Sequence, residues 1–394
     1  MSNNRTLRGQ VAIVGIGETH YYRHGKSPDP EFKMALMAIL AACADADVKP
    51  ETIDGFCSYS NDRCDPARLA AALEVKALRS TTMQWGGGGG GCAAAVANGA
   101  AAIHAGLADC VVIFRSLAQG EYGRFGQATP ASQIAGDMSY QAPYGIMAPP
   151  QKFAMKAQRF IHDYGVEAHV FRAIARAANH HAQLNPRAIM YGKPLNDVQY
   201  DQSRWIVEPF RLFDCCMESD GAAAAILVGA DRAKDFPNAP VYLLGAASGA
   251  DWRGGAGAHN APHYASAGCT SVAKHAFQMA GVVPQDIGAV QSYENFTPGV
   301  AMALMEHGFF RPDEINDFLT FDNLIAPAGK LPLNTSGGNL GESYVHGFEL
   351  LVEAVRQVRG TSTGQASRSD VGLVIGGPMV APTSSLIIGS GAVL

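Results

Sequence analysis

The sequence predicts an α/β protein of two pseudo-symmetric halves, each a series of βαβ units, in a layered architecture with a lobe inserted between them. Three observations carry that prediction. Ala46-Asp-Val-Lys-Pro50-Glu-Thr-Ile53-Asp-Gly-Phe-Cys-Ser58-Tyr59 lies without gaps on Ala280-Gly-Val-Val-Pro284-Gln-Asp-Ile287-Gly-Ala-Val-Gln-Ser292-Tyr293, with alanine, valine, proline, isoleucine, serine and tyrosine coinciding. Around each copy the same order recurs: a strand ending in glycine, an apolar helix, a strand, a glycine-rich turn, a helix and a strand. Between the copies, Gln119 to about Glu218 breaks the pattern. The halves are therefore expected at 1–118 with 219–240 and at 241–394, around a lobe at 119–218.

The elements follow from local patterns. VAIVGIG (Val11 to Gly17) is an apolar strand, and MALMAILAACADA an apolar helix that must be covered by a sheet. QWGGGGGGCAAAV then sets the glycines Gly86 to Gly91 before a helix, Cys92 to Ala105, and a strand, Cys110 to Arg115. The lobe opens with proline and glycine (Ala142-Pro-Tyr-Gly, Pro149-Pro150) and continues as one long helical segment, Gln151 to Gln183. Glu208-Pro-Phe-Arg-Leu-Phe-Asp214-Cys-Cys-Met-Glu-Ser219-Asp220-Gly221 leads out of it into a strand, Ala225 to Val228. VYLLGAASG and SVAKHAFQMAG restart the series, which ends with Ser336-Gly337-Gly338, a helix from Val345 to Arg359 and a strand from Val371 to Ile375. Alternation of this kind implies parallel crossovers. The two glycine-rich turns, Gly86 to Gly91 and Gly337 to Gly341, are expected in equivalent places facing one site.

Composition narrows the function. Of 394 residues 47% are hydrophobic and only 16% charged, the profile of a well-buried globular enzyme. A net charge of -5 gives no electrostatic footprint for nucleic acid. The polar start runs into Val11 to Gly17 without the apolar core of a signal peptide, and no apolar run is long enough to span a bilayer, so a cytoplasmic protein is expected. Eight cysteines show neither a CxxC pair nor zinc-ligand spacing with histidine, and are read as reduced, packed thiols. Adjacent His180 and His181 point to different helix faces and do not make a metal site. Lys152, Lys156, Arg159, Arg172 and Arg176 make the lobe helix basic, suited to phosphates or to a solvated face.

Three stretches together resemble the thiolase superfamily, specifically the sterol-carrier-protein-type thiolases and their lipid-transfer-protein relatives. PFRLFDCCMESDGAAA is similar to the family's exit from its loop lobe, SYENFTP to its H-D-C-F-type segment, and NTSGGNLGESYVHG to its N-P-S-G-G…G-H-P segment. The resemblance spans essentially the whole chain and implies the thiolase-like fold. It also implies a cysteine nucleophile, an activating histidine and a second, acid/base cysteine, and here the chain departs from it. Counting back from Ala105-Gly106-Leu107, the nucleophile position falls on Gly89, with Cys92 about one turn further on. Gly376 and its neighbours Ile375 and Gly377 replace the second cysteine, Tyr344 replaces the G-H-P histidine, with His346 two residues away, and Tyr293 replaces the H-D-C-F histidine.

A thiolase fold with tyrosines at the acid/base positions resembles the steroid side-chain retro-aldolases, whose tyrosines lie in YDNF-type and GEGY-type segments; Tyr293 and Tyr344 match them. The resemblance implies cleavage of a β-hydroxyacyl-CoA bearing a tertiary hydroxyl to a 17-keto steroid and a short acyl-CoA such as propionyl-CoA. Retro-aldol chemistry needs a base for the hydroxyl proton, donors for the enolate oxygen and an acid for its carbon. The expected catalytic residues are Tyr293, Tyr344 and His346, with Gly89, Gly90, Asn295, Gly376 and Gly377 around the substrate and its oxyanion. Glu294, Glu342, His346 or the helix N-terminus can assist a phenol, a weak base at neutral pH. No cofactor is expected beyond coenzyme A as part of the substrate. The resemblance further implies a homodimer and a small OB-fold partner of the DUF35 type. Two other readings stay open: a cysteine-independent acyltransferase or condensing enzyme, and a non-catalytic lipid- or CoA-binding subunit.

Overall fold

The strands that organise the chain are β1 (Val11–Glu18), β2 (Gly55–Tyr59), β3 (Ser80–Gln84), β4 (Cys110–Ala118), β5 (Ser219–Gly229), β6 (Val241–Gly249), β7 (Ala289–Ser292), β8 (Val371–Gly376) and β9 (Thr383–Gly389). The structure, a computed structural model, describes residues 6–86, 88–122, 134–255 and 260–394. Gly87 of the glycine run and residues 123–133 of the expected lobe lie outside the described residues.

The strands form one path, β7-β8-β9-β6-β1-β5-β4-β2-β3. Read inward from β7, the order β7-β8-β9-β6 repeats β2-β4-β5-β1 read inward from the other side, so the twofold character of the sequence is drawn in the sheet. The crossover strands β1, β2 and β4 run one way, as alternation predicts. The sheet is nevertheless mixed, because β5, returning from the lobe, lies antiparallel between β1 and β4, as β9 does between β6 and β8. The halves join through β1 and β6, paired at Ala12 with Tyr242 and Ile13 with Val241.

Helices α1 (Glu31–Ala46), α2 (Cys92–His104), α3 (Pro149–Tyr164), α4 (Ala168–Leu184), α5 (Thr270–Ala280), α6 (Thr297–Glu306) and α7 (Phe348–Arg359) complete the frame. The equivalence of the halves extends to single contacts. A Cβ on Gly15 of β1 would lie 2.5 Å from the Ala42 carbonyl oxygen and 2.8 Å from the Ala46 side chain, and one on Gly245 of β6 would lie 2.3 Å from the Ala276 oxygen and 2.9 Å from the Ala280 side chain. In both halves a bare backbone thus lets the outer helix approach its strand. Both helices stop on a left-handed residue, Asp47 at φ 52° and Gly281 at φ 63°, followed by a proline-led turn.

The central helices α2 and α7 pack against strands of both halves, α2 on β2, β4, β6 and β9, and α7 on β1, β5, β7 and β8. That explains their burial: Ala93, Ala95 and Val96 of α2 and Phe348, Leu351, Val352 and Val355 of α7 are fully enclosed. Each large apolar side chain so placed contributes roughly 1.5–3 kcal/mol by leaving water. Two expected helices differ. The lobe segment is two helices, broken by left-handed Gly165 at φ 62°. The last helix starts at Phe348, not Val345, because His346 at φ 50° and Gly347 at φ 83° are both left-handed. No helix among the described residues is long and apolar enough to cross a membrane.

Candidate active site

Tyr293 leaves the end of β7, where its N–H continues the pairing with β8 by donating to the Ile375 oxygen at 2.9 Å. Tyr344 sits in the loop before α7, clamped from the other half. Its N–H donates to Ser219 Oγ at 2.7 Å, and the same hydroxyl donates to its carbonyl at 3.2 Å. Ser219 opens β5, so each half supplies one tyrosine's seat. The two phenol oxygens lie 2.7 Å apart, one hydroxyl donating to the other. Both residues are buried, with Leu117, Leu350 and Cys216 around them.

Burial pushes both phenols well above their ordinary range, and the nearby Cys216 and Glu349 push further; the Gly89 backbone acts the other way on Tyr293. Both are therefore protonated at neutral pH. Neither carboxylate expected to assist touches the pair. Glu294 accepts the Asn339 N–H at 2.8 Å, and Glu342 accepts from Asn185 Nδ2 at 2.8 Å and from Ser336. Burial raises both, Glu294 to about 8.

His346 stands edge-on to the Tyr344 ring, 5.3 Å between centroids. Its Nδ1 lies 3.0 Å from Arg115 Nη2. A guanidinium only donates, so Nδ1 is the acceptor and the proton of the neutral ring is on Nε2. Burial, Arg115 and Arg63 all hold the imidazole pKa well below its ordinary value. Arg115 is itself fixed by Asp62 and the Tyr59 carbonyl, each at 2.9 Å.

The glycine turn approaches the pair with backbone alone. A Cβ on Gly89 would lie 2.4 Å from the Tyr293 ring, and one on Gly90 2.3 Å from the Pro382 oxygen. Beneath it pass Gly376 and Gly377, where a Cβ would come within 2.6 Å of the Gly89 oxygen and 2.4 Å of Gly90 Cα. Asn295 holds the same junction, its Nδ2 donating to the Pro378 oxygen at 3.1 Å. The partner of the first glycine turn is thus Gly376–Gly377. The expectation that Gly337 to Gly341 faces it is corrected, since Gly337 and Gly341 pack on Ala182 of α4 and Gly338 makes room for the Glu294 carboxylate.

Cys92 is not presented to this space: it is buried, its thiol turned to the Gly347 oxygen at 3.4 Å, and burial raises it far above a reactive range. Cys216, which adjoins both phenols, was not singled out by the sequence; burial holds it as a thiol. Asn339 and Glu349 were missed too, although NLGESYVHGFE is dense in polar residues for a buried stretch. Beyond the glycine junction, Met379 and Ala381 line a cleft of about 250 Å³ with Lys152, Lys156, Trp252 and Tyr264. A wider groove of about 760 Å³ along α3 holds none of the expected site residues.

Residues 255–390 match the family model described as thiolase C-terminal domain-like. The chain is 36% identical to the steroid side-chain-cleaving aldolase of Thermomonospora curvata, covering 98% of this chain and 99% of that one. It is 37% identical to the 17-hydroxy-3-oxo-4-pregnene-20-carboxyl-CoA lyase of Mycobacterium tuberculosis, over 97% of this chain and all of the relative. Among solved structures, the Ltp2-ChsH2(DUF35) aldolase superposes with a TM-score of 0.90 at 35% identity, over 98% of this chain and 99% of that one. Human mitochondrial 3-ketoacyl-CoA thiolase, at 16% identity and a TM-score of 0.68, shares the fold. With relatives at 36 and 37% identity that match end to end, the chain belongs to the thiolase superfamily, in its branch of steroid side-chain-cleaving aldolases, and is a carbon–carbon lyase.

Proposed function

We propose that the substrate is a β-hydroxyacyl-CoA carrying a tertiary hydroxyl on the steroid D ring, and that retro-aldol cleavage yields a 17-keto steroid and a short acyl-CoA such as propionyl-CoA. The bond between the carbinol carbon and the α-carbon breaks, its electron pair passes to the thioester as an enolate, and the carbinol becomes a ketone. One proton leaves the hydroxyl and one arrives at the α-carbon.

The observation that carries this reading is the 2.7 Å contact of the two phenols. One phenol accepts the hydroxyl proton while passing its own to the other, which delivers a proton to carbon. No tyrosinate has to persist, which suits a site that raises both phenols. Neutral His346, with its proton on Nε2, suits hydrogen-bond donation better than proton abstraction. Gly89 and Gly90 at the head of α2 offer backbone N–H groups to the enolate oxygen, with Asn295, Gly376 and Gly377 fixing the turn. The cleft of Lys152, Lys156, Trp252 and Tyr264 suits the phosphates and adenine of coenzyme A, which enters as part of the substrate.

The same reading includes a cytoplasmic homodimer and a DUF35-type OB-fold partner; the name of the superposed Ltp2-ChsH2(DUF35) aldolase supports the DUF35 partner. Mass spectrometry of products from a panel of β-hydroxyacyl-CoA esters, with the partner present, tests the reaction. Paired ketone and shortened acyl-CoA are expected; CoA-dependent condensation, or no turnover, would replace the reading.

A further inference from the structure

Asn339 is fully buried in the one-turn helix Gly338–Gly341, and its polar groups join four segments of the site. Its N–H donates to Glu294 Oε2 at 2.8 Å, and its Oδ1 accepts the Glu294 N–H at 2.9 Å, next to Tyr293. Its carbonyl accepts the Met217 N–H at 3.0 Å, next to Cys216. Its Nδ2 donates to Glu349 on α7, and the other oxygen of Glu349 accepts the Val345 N–H at 3.1 Å, next to Tyr344.

We propose that Asn339, through Glu294 on one side and Glu349 on the other, is the positioning residue that sets the separation of Tyr293 and Tyr344. It touches neither phenol, yet its amide spans the backbones that carry them, and a carboxamide is the side chain that can accept from one and donate to the other. The proposal rests on the reading of the phenols as the proton relay. A relay tolerates little displacement, because a 1 Å error in reacting groups costs on the order of 10²-fold in rate.

The test is a polarity swap. Asn339→Asp sets a second carboxyl against Glu349, and Glu349→Gln sets a second amide against Asn339; in the double variant the new amide donates to the new carboxyl, while its oxygen still accepts from Val345. Each single is expected to lower kcat by about 10²-fold with KM within about threefold, and the double to recover most of that loss. In a crystal structure of Asn339→Asp the phenol oxygens should part beyond the O–H···O hydrogen-bonding range, about 3.0 Å. A double variant no better than the worse single, or an unchanged phenol contact, overturns the proposal. Should the single fail to fold, the double, which restores the pair, carries the test through its own kcat and phenol contact. The phenol distance is read without substrate, so a failure of the proposed reaction is separable from a failure of this role.

Discussion

Tyr293 and Tyr344 act as one unit in this site, since each phenol is the other's hydrogen-bond partner at 2.7 Å. Tyr293→Phe or Tyr344→Phe keeps the ring and removes one link, so turnover should fall by roughly 10²-fold or more, the scale of a lost general acid or base. Melting temperatures should change little. The double variant should be no worse than the product of the singles, because a broken relay cannot be broken twice. Near-wild-type kcat in both singles, measured with the partner present, would sink the relay. The complementary control is Cys92→Ala, expected within a few-fold of wild type and insensitive to iodoacetamide. An acyl group trapped on Cys92 would restore thiolase chemistry against the geometry seen here.

At the scale of elements, the glycine turn before α2 tolerates little added bulk. Gly89→Ala would drive a Cβ to 2.4 Å from the Tyr293 ring, below any ordinary contact, and either ring or turn must move. A loss of kcat on the order of 10²-fold is expected from the displaced phenol, and full activity would show that the turn gives way freely. Both tyrosines and the strand-to-helix glycines were legible because short local patterns mark them. Other features were not. The contact of Gly376–Gly377 with Gly89–Gly90 joins the two halves across the molecule; the resemblance implied it by setting all four around one oxyanion, but no local pattern reports it. Val345 to Gly347 reads as helix from its neighbours, yet His346 and Gly347 are left-handed, and this non-helical step places Tyr344 before α7. The Asn339 network consists of polar residues buried by tertiary packing, which periodicity alone would assign to a surface loop.

At the scale of the molecule, buried acids predict a pH signature and an open edge predicts an assembly. Glu294 titrates near pH 8 in the folded chain against about 4.3 unfolded. Between these values the native state holds a proton that the unfolded state has lost, so stability falls as pH rises, Glu294 contributing up to about 1.4 kcal/mol per pH unit and the likewise raised Glu342 and Glu349 acting in the same direction. His181, His307 and His346, all lowered by burial, act oppositely, but only below about 6.5. The melting temperature should therefore fall from pH 6.5 to 8, and Glu294→Gln should flatten that slope; an equal slope in the variant would remove Glu294 as its cause.

One end of the sheet is β3, whose outer backbone groups no other strand among the described residues pairs. It carries Met83, 48% exposed, and leads to Trp85, 85% exposed, two apolar side chains on an otherwise polar edge that a second strand would cover. Two copies paired here about a twofold axis would continue the sheet and cover both side chains, so light scattering at micromolar concentration should give twice the 41.5 kDa chain. Met83→Lys should shift that mass toward the monomer. Because Trp85 directly precedes the glycine run, the same variant should also lower kcat, through a turn that has lost its support. A monomeric wild type would remove the dimer, and a monomeric but fully active variant would show that the edge and the phenol pair are independent.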